Sequence, residues 1–248
     1  MNPVFPESRI IRIPQTASTN SYLLQLSNTE NLTEGTVVAT DRQTQGRGQG
    51  DSAWESEPGA NLTCSLILYP ANVKASRQFL LSKSISLAVR DFVSQFVPEV
   101  TVKWPNDVYV GERKIAGILI ENFVAGDRLT KSIAGIGLNV NQERFASRAP
   151  NPVSLRQLTG KNYPLDDCLK NLHEHVAARY RMLAENTVKL DSDYLLHLFR
   201  FAQSCRFCAG GALFEATITG VNNYGMLEMI TVDGERKAFG FKEVTFRQ

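Results

Sequence analysis

A short lysine-containing segment, residues 103–122, predicts a β-hairpin with cationic side chains at its strand ends. It holds the turn sequence WPND, the strand Val108–Val110, a Gly-Glu turn and the apolar strand Ile115–Ile120. Because a tight hairpin brings strand ends together, the ammonium groups of Lys103 and Lys114 could face one anionic ligand. The alternative is an ordinary hairpin whose lysines are solvated.

A glycine-rich loop at residues 41–53 carries further groups that an anion would bind. It has three glycines and no aliphatic residue larger than alanine, so it can bury little surface and we expect it to be mobile without ligand. Because Arg42, Gln43 and Arg47 lie within it, we interpret it as a lid that orders over a bound anion. The alternative is a solvated Ω-like loop. The loop is neither a dinucleotide fingerprint nor a P-loop, since the third glycine and a Gly-Lys-Ser/Thr sequence are missing.

The segment Ser18-Thr19-Asn20 predicts the N-terminus of a helix. Serine and threonine are good N-cap residues for the apolar helical pattern that begins at Tyr22. The same hydroxyl and amide groups would lie at a helix N-terminus, where polar ligand atoms are readily bound. Capping and ligand binding are compatible, so both interpretations stand.

The composition is that of an ordinary globular protein. A length of 248 residues allows one large domain, or a large domain with a small one, and the contents of 43% hydrophobic and 21% charged residues are typical. The net charge of +2 argues neither for nor against nucleic-acid binding, and no polybasic run occurs. The sequence contains no apolar stretch long enough for a transmembrane helix and no secretory signal.

The four cysteines are too few for a disulfide scaffold, which suggests a reducing cytoplasm. Cys205 and Cys208 have the spacing of half a zinc site. Because no second pair follows, we prefer the interpretation of two reduced thiols.

Hydrophobic periodicity predicts helices and strands around one central sheet, followed by a small barrel. The expected strands of the central sheet, besides those of the hairpin, are Ile10–Ile13, Thr36–Thr40, Asn61–Tyr69, Val100–Val102 and Leu129–Val140. The expected helices are Ser76–Val97, Ser154–Leu158, Asp166–Glu185 and Ser192–Phe201. Three strands of a C-terminal barrel are expected at Ala212–Thr219, Gly225–Thr231 and Lys237–Phe246. We therefore expect domains at residues 1–200 and 205–248.

Five short motifs follow one another over about residues 9–141. They are STN, Q-x-x-G-R-G with Trp54 after it, KWPND, R-K-x-A-G-I and G-I-G-L-N-V. In order and approximate spacing they resemble the biotin protein ligases, the enzymes that attach biotin to carboxylase carrier domains. The resemblance implies an α+β fold of the class II synthetase-like type, with a mixed or antiparallel central sheet flanked by helices. The C-terminal segment resembles the SH3-like β-barrel domain of that family in position and length.

The resemblance also implies a two-step reaction that consumes ATP. Biotin and ATP would form biotinyl-5′-AMP and pyrophosphate, and a lysine of a biotin carboxyl carrier domain would then attack the mixed anhydride. Because a carboxylate and an α-phosphate repel each other, cationic groups that touch both would stabilise the transition state. Lys114 and Arg47 are the expected catalytic residues. Mg²⁺ is implied by ATP, with Asp107 as its candidate ligand.

Positions that match the family motifs give the expected binding residues. For biotin, whose ureido ring needs mixed donors and acceptors, they are Ser18, Thr19, Asn20, Gln43, Arg47, Gly48, Gln49 and Lys114. For the nucleotide they are Arg47, Trp54, Lys103, Asn106 and Asn139. We interpret Gly135 and Gly137 as room for a flat adenine ring, with Asn139 pairing to its edge. The alternative for these glycines is a β-bulge.

Two features depart from the family pattern. Gln49 stands where many relatives carry arginine, so a neutral amide replaces a positive charge. Only about eight residues precede the first strand, whereas some relatives begin with a helix-turn-helix repressor domain. We therefore expect no operator binding, no nucleic-acid partner and no membrane partner, and a cytoplasmic monomer or homodimer.

Two other functions compete with biotin ligation. One is a lipoate ligase or octanoyltransferase of the same fold, against which the combination of KWPND and GRG favours biotin. The other is a non-enzymatic regulator that keeps a biotin pocket, against which the presence of Lys114 and Arg47 argues.

Overall fold

A seven-stranded mixed sheet forms the larger part of the computed structural model, which describes residues 4–50, 53–146 and 151–247. In spatial order its strands are β1 (Ile10–Thr16), β2 (Val37–Gln43), β3 (Leu62–Leu68), β7 (Arg128–Leu138), β6 (Arg113–Ala125), β5 (Asp107–Val110) and β4 (Val100–Lys103). β1 and β2 run parallel, and the other neighbouring pairs are antiparallel. The expected mixed sheet is confirmed.

Helices cover both faces of this sheet. They are α1 (Thr19–Thr29), α2 (Phe79–Ser94), α3 (Leu155–Thr159), α4 (Leu165–Glu185) and α5 (Thr187–Leu196). Leu23 of α1 packs with Val38 and Ile67 on one face, and the larger core on the other face includes Leu66 and the buried side chains of α2 and α4. Because both faces are covered, β2 and β3 are buried along apolar runs rather than in alternation. Among the described residues, no helix combines the length and the apolar character needed to cross a membrane.

Several predicted boundaries differ from those observed. β1 continues through Pro14 to Thr16 instead of ending at Ile13. It lies at the sheet edge, where the missing amide hydrogen of proline removes no ladder bond. The helix predicted at Ser192–Phe201 is α5, which begins earlier because Asn186 caps it by accepting a 2.9 Å hydrogen bond from the amide of Lys189.

A second, five-stranded antiparallel sheet forms the C-terminal part. Its order is β11 (Arg236–Phe239), β10 (Leu227–Thr231), β9 (Ala212–Val221), β8 (Ser204–Ala209) and β12 (Val244–Arg247). β8 is absent from the sequence prediction, and the single strand predicted at Lys237–Phe246 is two strands. A turn separates them, in which the amide of Gly240 donates a 2.6 Å hydrogen bond to the carboxylate of Glu243. This arrangement agrees with a small SH3-like domain.

The two sheets share one continuous hydrophobic core. The buried indole of Trp104 donates a 2.8 Å hydrogen bond to the carbonyl of Gly225, next to β10. The backbone of Val102 in β4 also accepts from the amide of Phe199 and donates to the carbonyl of His197, each at 2.8 Å. The division at residues 200–205 stays a prediction, since the core does not stop there.

The four cysteines are free thiols. Cys205 and Cys208 are three positions apart on β8, so their side chains point to opposite faces of the sheet. They cannot form half of one zinc site in this arrangement. Burial raises the pKa of the Cys64 thiol to about 12, so this side chain is an inert part of the core.

Candidate active site

A cavity opens between the N-terminus of α1, the centre of the large sheet and the β5–β6 hairpin. It is lined by all the biotin, nucleotide and metal residues predicted from sequence except Lys103 and Asn139, and Arg42 of the glycine-rich loop does not line it either. Those that line it are Ser18, Thr19, Asn20, Gln43, Arg47, Gly48, Gln49, Trp54, Asn106, Asp107 and Lys114. The fold therefore brings together three polar segments that are far apart in sequence.

A hydrogen-bonded polar cluster forms one end of the cavity, at the start of α1. The side-chain oxygen of Gln43 accepts from the Thr19 amide at 2.7 Å and from the Thr19 hydroxyl at 3.0 Å. The Ser65 hydroxyl lies 2.7 Å from Thr19 Oγ1 and 2.6 Å from Asn20 Oδ1. Ser18 has N-cap geometry, but its hydroxyl makes no capping bond. This end of the cavity therefore offers donors and acceptors in fixed positions.

Two cations at the cavity are each paired with a carboxylate. Lys114 Nζ lies 2.7 Å from Asp107 Oδ1, and Arg47 Nη2 lies 3.2 Å from Glu121 Oε1. Asn20 Nδ2 also donates to Glu121, at 2.7 Å. The Arg47–Glu121 pair is partly exposed to solvent and contributes little to stability, whereas Lys114 and Asp107 are mostly buried. In both pairs the cation lines the cavity, where it can exchange its partner for an anionic ligand.

Asp107 has little to support its predicted role as a metal ligand. Its carboxylate faces the Lys114 ammonium rather than other carboxylates. Burial raises the pKa of Asp107, while the charges of Lys114 and Lys103 act in the opposite direction. Within residues 4–50, 53–146 and 151–247 there is no cluster of three or more side chains that could hold a metal ion.

The two glycines of β7 accommodate side chains in this structure. A methyl group at Gly135 would overlap the amide of Asn20, and one at Gly137 would overlap the indole of Trp54. In this conformation the side chains of Asn20 and Trp54 occupy the space beside these glycines, and the adenine interpretation stays a prediction. The alternative of a β-bulge is wrong, because β3 and β7 pair without a register shift from Leu62↔Leu138 to Leu68↔Ser132.

Two buried polar atoms at the cavity have no hydrogen-bond partner among the described residues. They are the indole nitrogen of Trp54 and the side-chain oxygen of Gln49. Buried polar groups in proteins are generally paired. One donor and one acceptor at the cavity wall are thus available to a ligand.

Lys103 lies outside the cavity, in an aromatic environment. Its ammonium is 4.5 Å from the ring centroid of Tyr109, 5.2 Å from that of Phe199 and 5.0 Å from that of Phe246. Burial lowers the pKa of Lys103, and the charges of Asp107 and Glu112 act in the opposite direction. The structure therefore does not place both hairpin lysines against one ligand.

Asn139 also lies outside the cavity lining, where it braces the backbone beside Lys114. Its side-chain amide donates to the carbonyl of Val153 at 3.0 Å, and its backbone amide donates to that of Ile115 at 2.9 Å. Val153 in turn donates its amide to the Lys114 carbonyl at 2.9 Å. The nucleotide role predicted for Asn139 is not evident from this geometry.

The turn before β5 is fixed to the neighbouring strand β6. The Trp104–Pro105 peptide bond is cis. Asn106 donates its side-chain amide to the Ile118 carbonyl at 2.5 Å and accepts the Ile118 amide at 2.9 Å through its own carbonyl. This turn holds Asp107 at the cavity wall.

Three residues at the site were missed from the sequence. Ser65 and Glu121 lie in strands that look like ordinary core strands, although a polar residue within an apolar run is a usable signal for each. Phe241 lies in the turn between β11 and β12 and lines the cavity mouth. No sequence signal places this C-terminal turn beside the N-terminal loop.

Comparisons with known proteins identify relatives of this chain. The chain is 28% identical over 239 aligned positions to the bifunctional ligase/repressor BirA of Bacillus spizizenii, covering 90% of this chain and 70% of the relative. It is 34% identical over 134 positions to the biotin--[acetyl-CoA-carboxylase] ligase of Mycobacterium tuberculosis, covering 52% of this chain and 48% of that protein.

The fold is that of a solved biotin protein ligase. The structure of the enzyme from Aquifex aeolicus in complex with biotin and ATP superimposes with a TM-score of 0.78, covering 97% of this chain and 99% of that chain at 24% identity. A family model for the biotin/lipoate A/B protein ligases matches residues 12–139, just over half of the sequence. The chain therefore belongs to the biotin/lipoate A/B protein ligase family.

Proposed function

We propose that this protein is a biotin protein ligase that activates biotin with ATP and transfers it to a lysine of a carrier protein. One observation carries the proposal: the wall of a single cavity has a fixed cluster of neutral donors and acceptors, and two cations, Arg47 and Lys114, line the same cavity. A ureido ring suits the first region, and a carboxylate meeting a phosphate suits the second.

The polar cluster at the start of α1 would bind the ureido ring. The carbonyl oxygen of that ring needs donors and its two N–H groups need acceptors. Thr19, Asn20 and Ser65 supply both kinds of group from buried positions, so they are already desolvated before the ligand binds. Apolar wall residues such as Ile118 and Ile136 would contact the acyl chain.

Replacing Ser65 with alanine should weaken biotin binding selectively. Without this hydroxyl, Thr19 and Asn20 lose the group that bridges them, so the cluster is less well ordered. We expect the KM for biotin to rise about fivefold and the KM for ATP to stay unchanged, since one buried hydrogen bond contributes roughly 1 kcal/mol. Steady-state kinetics of pyrophosphate exchange measure both constants. Ser132→Ala, which removes a similarly buried hydroxyl bonded to Asn122, is the control.

Lys114 and Arg47 would act in the first step, formation of biotinyl-5′-AMP. Both reacting groups are anionic, and both cations lie at the cavity. Charge that develops on the α-phosphate would draw each cation from its present carboxylate partner. Mg²⁺ would bind to the ATP phosphates, and one or two carboxylates suffice to hold it there. No step of this proposal depends on the protein holding that ion.

Trp54 and Gln49 would take part in binding the nucleotide. Both line the cavity and each has a buried polar atom that lacks a partner among the described residues. Gln49 supplies no charge, so the fixed positive charge near the phosphates would come from Arg47 and Lys114.

Replacing Gly137 with alanine should weaken ATP binding. The added methyl group would overlap the indole of Trp54 and force it away from β7. We expect a rise of about fivefold in the KM for ATP, because a displaced aromatic ring loses a contact of roughly 1 kcal/mol. Tryptophan fluorescence would report the displacement. Gly220→Ala, whose methyl group meets only a flexible glutamate side chain, should change neither quantity.

The second step would transfer biotin to a biotin carboxyl carrier domain of a biotin-dependent carboxylase. No covalent enzyme intermediate is needed, so binding, orientation and exclusion of water carry the chemistry. We also propose a cytoplasmic location, which suits four free cysteines.

Mass spectrometry tests the proposed function directly. A candidate carrier domain incubated with the protein, biotin and ATP should gain one biotinyl group on a lysine. Lipoate and octanoate serve as competing acids. Modification with lipoate but not with biotin would establish the rival function, and no modification with any of the three acids would contradict both.

A further inference from the structure

A groove adjoins the cavity and is bordered by residues of both parts of the chain. It lies between the start of α2, the turn before β5, the strand β6 and the turn that joins β9 to β10. Five residues line both the groove and the cavity: Gln49, Pro105, Asn106, Ile118 and Leu119. The two are thus separated by no more than one layer of side chains. We call this second hollow the rim groove.

The rim groove has a neutral lining. Besides the shared residues, the described side chains that line it are Gln78, Phe79, Ser82, Ile120, Asn122 and Tyr224, and none of them is charged. The two cations that suit a phosphate, Arg47 and Lys114, line the cavity and not the groove. A lining of amide, hydroxyl and apolar groups matches the surface of a neutral peptide segment.

Gln49 presents an unused acceptor where the groove meets the cavity. Its side-chain oxygen is buried and has no hydrogen-bond partner among the described residues. Buried polar groups are generally paired, so this oxygen is suited to a donor from a ligand. A lysine ammonium has three donors and no acceptor, and it lies at the end of a flexible four-carbon stem. This contact is compatible with a nucleotide contact through the amide nitrogen of Gln49.

Tyr224 lies at the edge of the groove in a turn of fixed shape. The residue is 76% exposed. Within the turn, the side chain of Asn222 accepts the Tyr224 amide at 3.0 Å. Trp104 donates to the Gly225 carbonyl, and Gly225 packs so closely on Phe79 that an added methyl group would overlap that ring. An exposed tyrosine on a rigid turn can bind a partner at little entropic cost, and tyrosine is enriched at protein–protein interfaces.

We infer that the rim groove receives the lysine-bearing loop of the carrier domain, with Tyr224 packing against an apolar side chain of that loop. The inference rests on the proposed function, because it names the surface that the second substrate of that reaction would use. The activated acid forms in the cavity, and the carrier must bring its amine there from outside. The lysine stem would cross from the groove past Gln49, whose side-chain oxygen would accept one of its hydrogens.

Two variants change the groove at residues that do not line the cavity. Tyr224→Ser removes the exposed ring, and Ser82→Phe fills the groove with a bulky side chain. Biotin-dependent pyrophosphate exchange needs no carrier, so we expect its kcat and its KM values for biotin and ATP to stay unchanged in both variants. In the transfer reaction, the KM for the carrier domain should rise about tenfold in Tyr224→Ser, a typical effect of losing an aromatic interface contact, and further in Ser82→Phe.

A second measurement does not depend on activity. The protein is titrated into a ¹⁵N-labelled biotin carboxyl carrier domain without ATP, and the Kd is obtained from the NMR shifts. It should rise by similar factors in the two variants. Leu213→Ser is the matched control, because Leu213 is 68% exposed but lies at the opposite end of β9 from the turn that carries Tyr224. It should change neither the Kd nor the KM for the carrier.

Normal exchange with an unchanged KM and Kd for the carrier in Tyr224→Ser would overturn the inference and leave the proposed function standing. A raised KM for ATP in that variant would assign the groove to the nucleotide. Loss of a dimer in analytical ultracentrifugation would assign it to a second copy of this chain, and either result also overturns the inference. If the unmodified protein showed no biotin-dependent exchange, the proposed function would fail and the inference with it. If Ser82→Phe does not fold, the exposed Tyr224→Ser decides alone.

Discussion

Replacing Lys114 with alanine is expected to lower the rate of biotin adenylation by about 100-fold or more. The removal of one preorganised group that stabilises developing charge commonly has an effect of this size. Lys114 is held at the cavity by its ion pair with Asp107 and by backbone hydrogen bonds to Asn151 and Val153 on either side. Its position is therefore fixed before substrates bind, which is the condition for a large effect. Single-turnover formation of biotinyl-5′-AMP measures it.

Asp107→Asn separates the role of the lysine from that of its partner. We expect a smaller loss of about tenfold, since the lysine charge remains but its position is less well fixed. The double variant should be no slower than Lys114→Ala alone, because the two residues act as one unit. Circular dichroism should show that both single variants are folded. Unchanged turnover in Lys114→Ala would refute the assigned role.

Replacing Trp104 with alanine should lower the free energy of unfolding by about 3–5 kcal/mol, a typical effect for a buried tryptophan. Its indole is 6% exposed and lies in the core shared by both sheets, with a hydrogen bond to Gly225. This substitution should weaken mainly the packing between the two sheets. We therefore expect one calorimetric transition for the unmodified protein, whose sheets share a core, and two transitions for the variant.

Trp104→Phe and Val188→Ala control this experiment. Phenylalanine retains much of the packing but cannot form the hydrogen bond. The lost hydrogen bond should lower the free energy of unfolding by roughly 1 kcal/mol, in addition to the loss caused by the smaller ring. Val188 is exposed, and its replacement should have no measurable effect. A single transition in Trp104→Ala, at an unchanged temperature, would show that the indole does not connect the sheets.

The sequence predicts the elements that carry strong periodicity or well-defined turns. The apolar runs in β2 and β3 are recognisable because both faces of these strands are buried. The hairpin that carries Asp107 and Lys114 is recognisable from its turns. The strand β8 is not, since only Phe207 in it is fully buried and the strand has no apolar run.

Residues of the cavity lining could be predicted where they belong to recognisable sequence motifs. The segments 18–20 and 43–49 reach the cavity as expected. Lys103 does not reach the cavity. The sequence spacing shows that Lys103 and Lys114 belong to the same hairpin. It does not show which aromatic side chains from distant segments will surround Lys103. The partners of Arg47 and Lys114 were likewise missed, since carboxylates such as Glu121 come from strands whose register is not known in advance.

The carboxylate partners of the two cavity cations have a consequence for ligand selectivity. With Asp107 and Glu121 in place, an incoming phosphate does not meet bare positive charge but must displace an anion that is already there. A small solute such as inorganic phosphate would only replace the carboxylate that each cation already contacts. A ligand long enough to reach both cations, and to fill the neutral cluster as well, is favoured over such solutes by its size and shape rather than by its charge alone.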